Sequence, residues 1–232
     1  MGEFVIPQQF NRNHAKVQAL GAPALTGWVL LDYMTKRLGW ESLTGKTVLD
    51  IGCGTRFTSA ILTHEIPVGR YIGVDIHRGM IEWLQTNTAR PNLEFHCVDQ
   101  ANPMYNPTGL IHQADWSFAH DVDLCCMFSV ITHQLPLAAS SLFREAHKRV
   151  KDAGFLFFSA AIRSEADENQ QDYVELASNI TGLSSYRETF LRKLLSETGW
   201  VVLTKGDPDP VVPQYPIAYV PIASHFVCQK AT

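Results

Sequence analysis

The run Thr47-Val48-Leu49-Asp50-Ile51-Gly52-Cys53-Gly54-Thr55-Arg56 limits what this chain can fold into. Thr47 to Ile51 is short, mostly apolar and partly β-branched, which predicts a buried strand. Gly52 and Gly54 break that strand and let the backbone turn sharply. From Phe57 the pattern becomes helical (Phe57-Thr58-Ser59-Ala60-Ile61-Leu62). A strand, a tight glycine turn and a helix form a nucleotide-type site. The glycines let the main chain approach a ligand, and the helix start offers unpaired N–H groups. Asp50 adds a negative charge, which suits a ligand with a cationic part and suits a bare pyrophosphate poorly.

The rest of the chain repeats the alternation. Ala24 to Leu38 reads as a helix, with Pro23 near its start and Gly39 after its end. Trp28 within it is expected in the core. Pro67-Val68-Gly69 predicts a turn, and Arg70 to Ile76 a second strand carrying Asp75 near its end. Asp75 follows the glycine turn by about twenty residues, which in a doubly wound sheet places a carboxylate beside the turn, ready for ribose hydroxyls. A helix with Met80, Ile81, Trp83 and Leu84 follows. Leu93 to Asp99 is a third strand, and Asp99 with Gln100 offers a carboxylate and an amide suited to an adenine edge. Val122 to Ser129 is a fourth strand, with Val130-Ile131-Thr132-His133-Gln134 at its carboxyl end. Leu137 to Val150 is an amphipathic helix, and Gly154 to Ile162 a fifth strand, apolar throughout as a central strand should be.

Beyond it, Arg163 to Asp172 reads as an exposed polar loop, Tyr173 to Leu183 as a short lid helix and Tyr186 to Thr198 as a helix ended by Gly199. Trp200 to Lys205 is a sixth strand. Gly206 to Pro221 is a proline-rich excursion, and Ala223 to Gln229 a seventh strand in an antiparallel hairpin. The expected fold is therefore α/β: a doubly wound seven-stranded sheet, mostly parallel, with a C-terminal antiparallel hairpin and helices on both faces. No internal repeat or linker divides residues 1–232, so a single domain is expected, with 1–40 as an N-terminal arm and helix acting as a lid and 163–190 as a cap segment. Residues 1–14 read either as a loose arm or as a flap whose Phe10 or Arg12 touches ligand. Ala101 to Asp121 holds Pro103, Pro107 and Gly109, so it is no continuous helix, and its length suits a segment folded over the site.

Charge and cysteine usage narrow the partners. The net charge is −4, with no basic run longer than Lys36-Arg37, which excludes an extended nucleic-acid surface. No apolar stretch is long enough to cross a bilayer, and the N-terminus lacks the order of a signal peptide. The five cysteines (Cys53, Cys97, Cys125, Cys126 and Cys228) are odd in number and show no CxxC spacing. They read as reduced, mostly buried thiols of a cytoplasmic protein. A homo-oligomer is compatible with all of this.

Asp50-Ile51-Gly52-Cys53-Gly54, Asp75 on the second strand, Asp99-Gln100 after the third and Phe128 to His133 after the fourth occur in one order. Together with Val150-Lys151-Asp152-Ala153-Gly154 leading into the fifth strand, they resemble a class I S-adenosylmethionine-dependent methyltransferase of the Rossmann-like, small-molecule type. The resemblance runs from Lys46 to about Ile162. It implies that Gly52, Cys53 and Gly54 hug the methionine end of the cofactor and that Asp50 orients its ammonium group. It further implies that Asp75 binds the ribose diol, Ile76 packs on adenine, Asp99 and Gln100 read the adenine edge, and Ser129 lines the methionine moiety. The product would be S-adenosylhomocysteine. Arg56 departs from the family, which often has a third glycine there. A dinucleotide fingerprint would instead require glycine at Phe57.

A sulfonium methyl is already activated, so the protein mainly aligns a nucleophile and excludes water. An oxygen nucleophile also calls for a base. His133 is the candidate, because imidazole titrates near neutrality and the residue follows the fourth strand; the alternative is that it only shapes the pocket. Glu165 and Asp167 could hold a divalent metal or accept a proton, but solvated acids are the expectation and no metal ligand is assigned. The expected reaction is methylation of a small molecule at a hydroxyl of a sugar, polyketide or phenolic metabolite. The alternatives are methylation of a small amine, or a non-catalytic cofactor-binding regulatory subunit.

Overall fold

Seven of the strands form at the apolar runs that predict them. A computed structural model describes residues 4–11, 23–100, 109, 116–163, 171–176, 183–206 and 224–231. The described residues fall into two compact units, those before Asp115 in the first and those from Trp116 onward in the second.

In the first unit, helix α1 (Pro23–Arg37) precedes strand β1 (Leu43–Ile51), helix α2 (Arg56–Thr63), strand β2 (Val68–Asp75), helix α3 (Arg78–Asn87) and strand β3 (Leu93–Cys97). β1 pairs in parallel with β2, and β2 with β3. β1 begins earlier than expected, because Leu43 pairs with Val68 across an irregularity that includes left-handed Gly45. The expected turn at Pro67-Val68-Gly69 is therefore already strand from Val68. Val48, Leu49, Ile72 and Val74 are fully buried, as strands covered on both faces require.

Helix α1 sits tightly on α2. A Cβ on Gly27 would come 2.4 Å from the Arg56 carbonyl oxygen and 2.9 Å from Ala60 Cβ. The bare glycine thus sets the distance of α1 from the first turn of α2. Leu30, Leu31 and Met34 face inward, while Trp28 is only half-buried, with its ring 6.1 Å from that of His64. Phe4 and Phe10 pack on Trp83 of α3, and Phe10 meets His77 edge-on. Residues 4–11 are thus docked on α3 rather than loose; Arg12 lies outside the described residues.

In the second unit, strand β4 (Val122–Met127), helix α4 (Pro136–Arg149) and strand β5 (Val150–Arg163) are followed by strands β6 (Tyr173–Leu176) and β7 (Leu183–Arg187). Helix α5 (Glu188–Glu197) and strands β8 (Trp200–Gly206) and β9 (Ser224–Lys230) complete it. β4 and β5 are parallel. β5 is longer than expected: it starts at Val150, with left-handed Ala153 marking an irregularity before Gly154. Its stretch Phe155–Ala160 pairs antiparallel with β9, which also pairs antiparallel with β8, giving the predicted hairpin.

Two expectations are corrected here. The structure has nine strands among the described residues rather than seven, and Tyr173 begins a strand rather than a lid helix. β6 and β7 form an antiparallel pair, and β7 runs parallel to the tail of β5, with Ala161 opposite Ser185 and Arg163 opposite Arg187. Tyr186 consequently lies in β7, and the helix expected from it begins at Glu188. The long β5 supplies the reason, since its last residues offer backbone groups beyond the reach of β9. The expected loop at Arg163–Asp172 and excursion at Gly206–Pro221 fall mostly outside the described residues, as does most of Ala101–Asp121.

Burial depresses the pKa of His96, and burial with the nearby Lys230 charge depresses that of His147. An unfolded imidazole then binds protons that the folded one refuses, so stability should fall as pH drops below about 6.5. Urea melts at pH 7.5 and 5.5 test this, and His147→Gln should flatten the difference. Gly27→Ala should cost about 1–3 kcal/mol through overpacking. Gly79→Ala should cost nothing, because the nearest atom to its Cβ would be 3.9 Å away.

Candidate active site

The strand-to-helix turn after β1 forms as its residues require. Gly52 and Gly54 both have positive φ, at 71° and 51°. A side chain there would cost about 1–2 kcal/mol. The N–H groups of Gly52 and Cys53 donate to the Val74 carbonyl at 2.7 and 3.0 Å, which ties the turn to the end of β2. Cys53 is buried and sits over Gly73, where a Cβ would come 3.1 Å from its Sγ. Arg56 begins α2 one residue earlier than expected and is half-buried.

Asp75 joins this turn to the next helix. Its Oδ2 accepts from the Gly54 N–H at 3.1 Å, and its Oδ1 accepts from the His77 N–H at 3.0 Å. The carboxylate is 3% exposed, so its orientation is fixed by the backbone around it. His77 caps α3 by accepting the Met80 N–H on Nδ1. An Asp, Ser or Asn usually does this work, so the histidine puts a larger ring at the same place.

Asp50 is 2% exposed and accepts a 2.6 Å hydrogen bond from the Tyr71 hydroxyl. The register explains the contact. Asp50 stands opposite Gly73, and Tyr71 is two residues back on the same face of β2. The Tyr71 ring lies against Phe95 at 6.1 Å.

A cavity of about 240 Å³ opens at the ends of β2 and β3, lined by Ile76, His77, Arg78, Gly79, Cys97, Val98 and Asp99. It is smaller than the roughly 300–1,000 Å³ of pockets that enclose whole ligands, and so suits one end of a long one. Burial raises the Cys97 thiol pKa, so Cys97 lines the cavity as a neutral, small apolar group. Asp99 is exposed and Gln100 half-buried, both past the end of β3 rather than within it.

On the second unit, Ser129 and His133 follow the carboxyl end of β4. Ser129 is exposed and left-handed, with φ 57°, and its N–H donates to Ser159 Oγ at 2.9 Å. His133 is half-buried and ends a 3₁₀ turn, Ile131–His133. Leu135 and Leu137 are exposed just beyond it. Glu165 and Asp167 lie outside the described residues. Among the described residues, no group of three His, Cys, Asp or Glu side chains could hold a metal ion. All five cysteines are free thiols.

The structure thus brings Gly54 to Asp75 and gathers Ile76 and Asp99 around one cavity. Sequence reasoning missed Tyr71, His77 and Cys97. Tyr71 carried a signal, because a phenol in a buried parallel strand needs a partner for its hydroxyl and Asp50 is the nearby acid. The roles of His77 and Cys97 as cavity walls depend on the course of the chain after β3, which carries no such signal.

A model of a family described as a methyltransferase domain matches residues 29–205. The chain belongs to that family. Its fold is the one that solved S-adenosylmethionine-dependent methyltransferases share. A malonyl-[acyl-carrier protein] O-methyltransferase of Acetivibrio thermocellus is 32% identical over 101 residues, a match spanning 41% of this chain and 32% of that protein. Among solved structures, magnesium protoporphyrin IX methyltransferase of Synechocystis PCC 6803, which holds bound S-adenosylmethionine, is similar over 95% of this chain and 86% of its own. Its TM-score is 0.56 at 15% identity. An S-adenosylmethionine-dependent methyltransferase of Mesorhizobium loti is similar over 86% of this chain and 98% of its own, with TM-score 0.57 at 13% identity. At these identities the structures speak for the fold.

Left-handed glycines leave the backbone bare at the turn, Asp75 is held by two backbone N–H groups, and a cavity with an acid at its rim adjoins it. The Tyr71–Asp50 bond should support this arrangement. Tyr71→Phe should lower stability by about 1.5–3 kcal/mol, the worth of a hydrogen bond to a buried charge. A shift in the urea midpoint at unchanged slope checks this.

Proposed function

We propose that the chain transfers a methyl group to a hydroxyl oxygen of a small-molecule acceptor, a sugar, polyketide or phenolic metabolite, with His133 as the general base. S-adenosylmethionine supplies an activated sulfonium methyl when bound. In this reading Gly52, Cys53 and Gly54 approach its methionine end and Asp50 orients the ammonium. Asp75 accepts hydrogen bonds from the ribose diol, Ile76 packs on adenine, and Asp99 with Gln100 reads the adenine edge. Ser129 lines the methionine moiety. Residues 1–232 act as one catalytic domain, a reading supported by the single family model that runs across both compact units.

The observation that carries the acceptor half is the imidazole of His133. It stands on a short 3₁₀ turn directly after β4, beside exposed Leu135 and Leu137. A half-buried base next to apolar surface suits a neutral hydroxyl compound whose proton must leave as the carbon–oxygen bond forms. His133 would take that proton and release it to solvent after transfer. The partial match to an enzyme that methylates oxygen supports the same choice of atom. No helix among the described residues is long and apolar enough to cross a membrane, and the proposed partner is a small molecule rather than nucleic acid.

A screen of hydroxylated metabolites, read by formation of S-adenosylhomocysteine, tests the reading. His133→Ala should slow transfer by about 10²–10⁴ while cofactor affinity stays the same. A preserved rate across pH would remove His133 as the base. Turnover of amines and not hydroxyl compounds would move the reaction to nitrogen, and cofactor binding without any turnover would favour a regulatory subunit. Chelator treatment should leave the rate unchanged; a loss restored by Mg²⁺ would bring a metal into the site.

A further inference from the structure

The loop that carries Ser129 and His133 is held at both ends by buried side chains from neighbouring strands. At its start, the N–H of left-handed Ser129 donates to Oγ of Ser159 on β5, and Ser159 is 3% exposed. At its end, the hydroxyl of Tyr186 on β7 donates to the backbone carbonyl of Gln134, the residue after His133. Tyr186 is fully buried. The pairing of β7 with the tail of β5 sets Tyr186 opposite Ile162, three residues beyond Ser159 on the same strand. One long strand therefore carries the first clamp and, through its neighbour, the second.

The chemistry of the clamps fits a geometric task. Ser129 occupies a backbone region that L residues avoid, and such strain persists only where the surroundings over-determine it. A 3₁₀ turn of three residues has poor internal hydrogen bonding and does not fix its own orientation. Burial raises the Tyr186 phenol pKa far above its ordinary value, so the group stays a neutral donor over the working range of an enzyme. A backbone carbonyl as acceptor means that the contact reads the course of the loop, whatever side chain Gln134 carries.

We propose that Ser159 and Tyr186 are positioning residues that fix the loop after β4 at its two ends, Ser159 setting Ser129 and Tyr186 setting the ring of His133. This deepens the preceding reading and rests on it for the roles of Ser129 and His133. The β6–β7 strand pair thereby gains a purpose beyond extending the sheet, since Tyr186 reaches the loop only because β7 pairs with β5.

The test uses the full chain with Tyr186→Phe, Ser159→Ala and Ser159→Thr, each confirmed as folded by a cooperative melt. NMR of the histidine rings reads the loop without any cofactor. Tyr186→Phe should shift or broaden the His133 ring signals and leave those of His64 and His77, in the first unit, in place. Titration with S-adenosylhomocysteine reads the other clamp: Ser159→Ala should weaken binding about five-fold, the net worth of one hydrogen bond, and Ser159→Thr, which keeps an Oγ, should restore it. Unmoved His133 signals in folded Tyr186→Phe overturn the role of Tyr186. Unchanged affinity in Ser159→Ala, or equal loss in Ser159→Thr, overturns that of Ser159. If Tyr186→Phe does not fold, Tyr186 is a residue of the fold and its positioning role is overturned, while the serine pair still decides the other clamp. A wild-type chain that binds no S-adenosylhomocysteine would instead sink the cofactor reading, and the NMR arm would stand apart from it.

Discussion

Both carboxylate oxygens of Asp75 accept backbone N–H groups, one from Gly54 in the turn after β1 and one from His77 at the start of α3. That pair of bonds fastens two loops to one side chain at the end of β2. Without it the glycine turn and the start of α3 would lose the side chain that links them. The bonds also fix the orientation of the Asp75 carboxylate. The rest of the first unit is built to keep this joint in place. The Val74 carbonyl takes the Gly52 and Cys53 N–H groups, Tyr71 holds Asp50, and Gly27 brings α1 close on the first turn of α2.

The second unit solves a parallel problem with different means. The loop after β4 has no glycine and includes a left-handed serine, so its shape comes from clamps rather than from backbone freedom. Ser159 and Tyr186 come from strands that pair with one another, which makes the loop's geometry a consequence of strand register. A carboxylate joint in one unit and a clamped loop in the other are both ways of preorganising polar groups before a ligand arrives.

Much of this was legible in the residues. The change from an apolar run to two glycines and then to helical spacing located β1 and α2 to within a few residues, because each signal is local. Asp75 and Asp99 were found as acids at the ends of apolar runs. The β6–β7 pair was not legible. Tyr173, Val174 and Leu176 carry the spacing of a helix face, and only the tail of β5 turns them into a strand pair. That is a tertiary effect, invisible to local pattern. The start of β5 at Val150 rather than Gly154 was hidden for a similar reason. Lys151, Asp152 and Ala153 look like a turn, yet they form an irregularity within a continuing strand. Arg56, which departs from the family's glycine, proves to be simply the first residue of α2, with its carbonyl against Gly27.

The central proposal is that Asp75, which joins the turn, also receives the cofactor. Isothermal titration of S-adenosylhomocysteine into the wild-type chain and into Asp75→Ala tests it most directly. The account predicts one saturable site per chain, and an affinity at least about ten-fold weaker in the variant, the cost of losing charge-assisted hydrogen bonds. Equal affinity in a folded Asp75→Ala, or no binding to the wild-type chain, would contradict it.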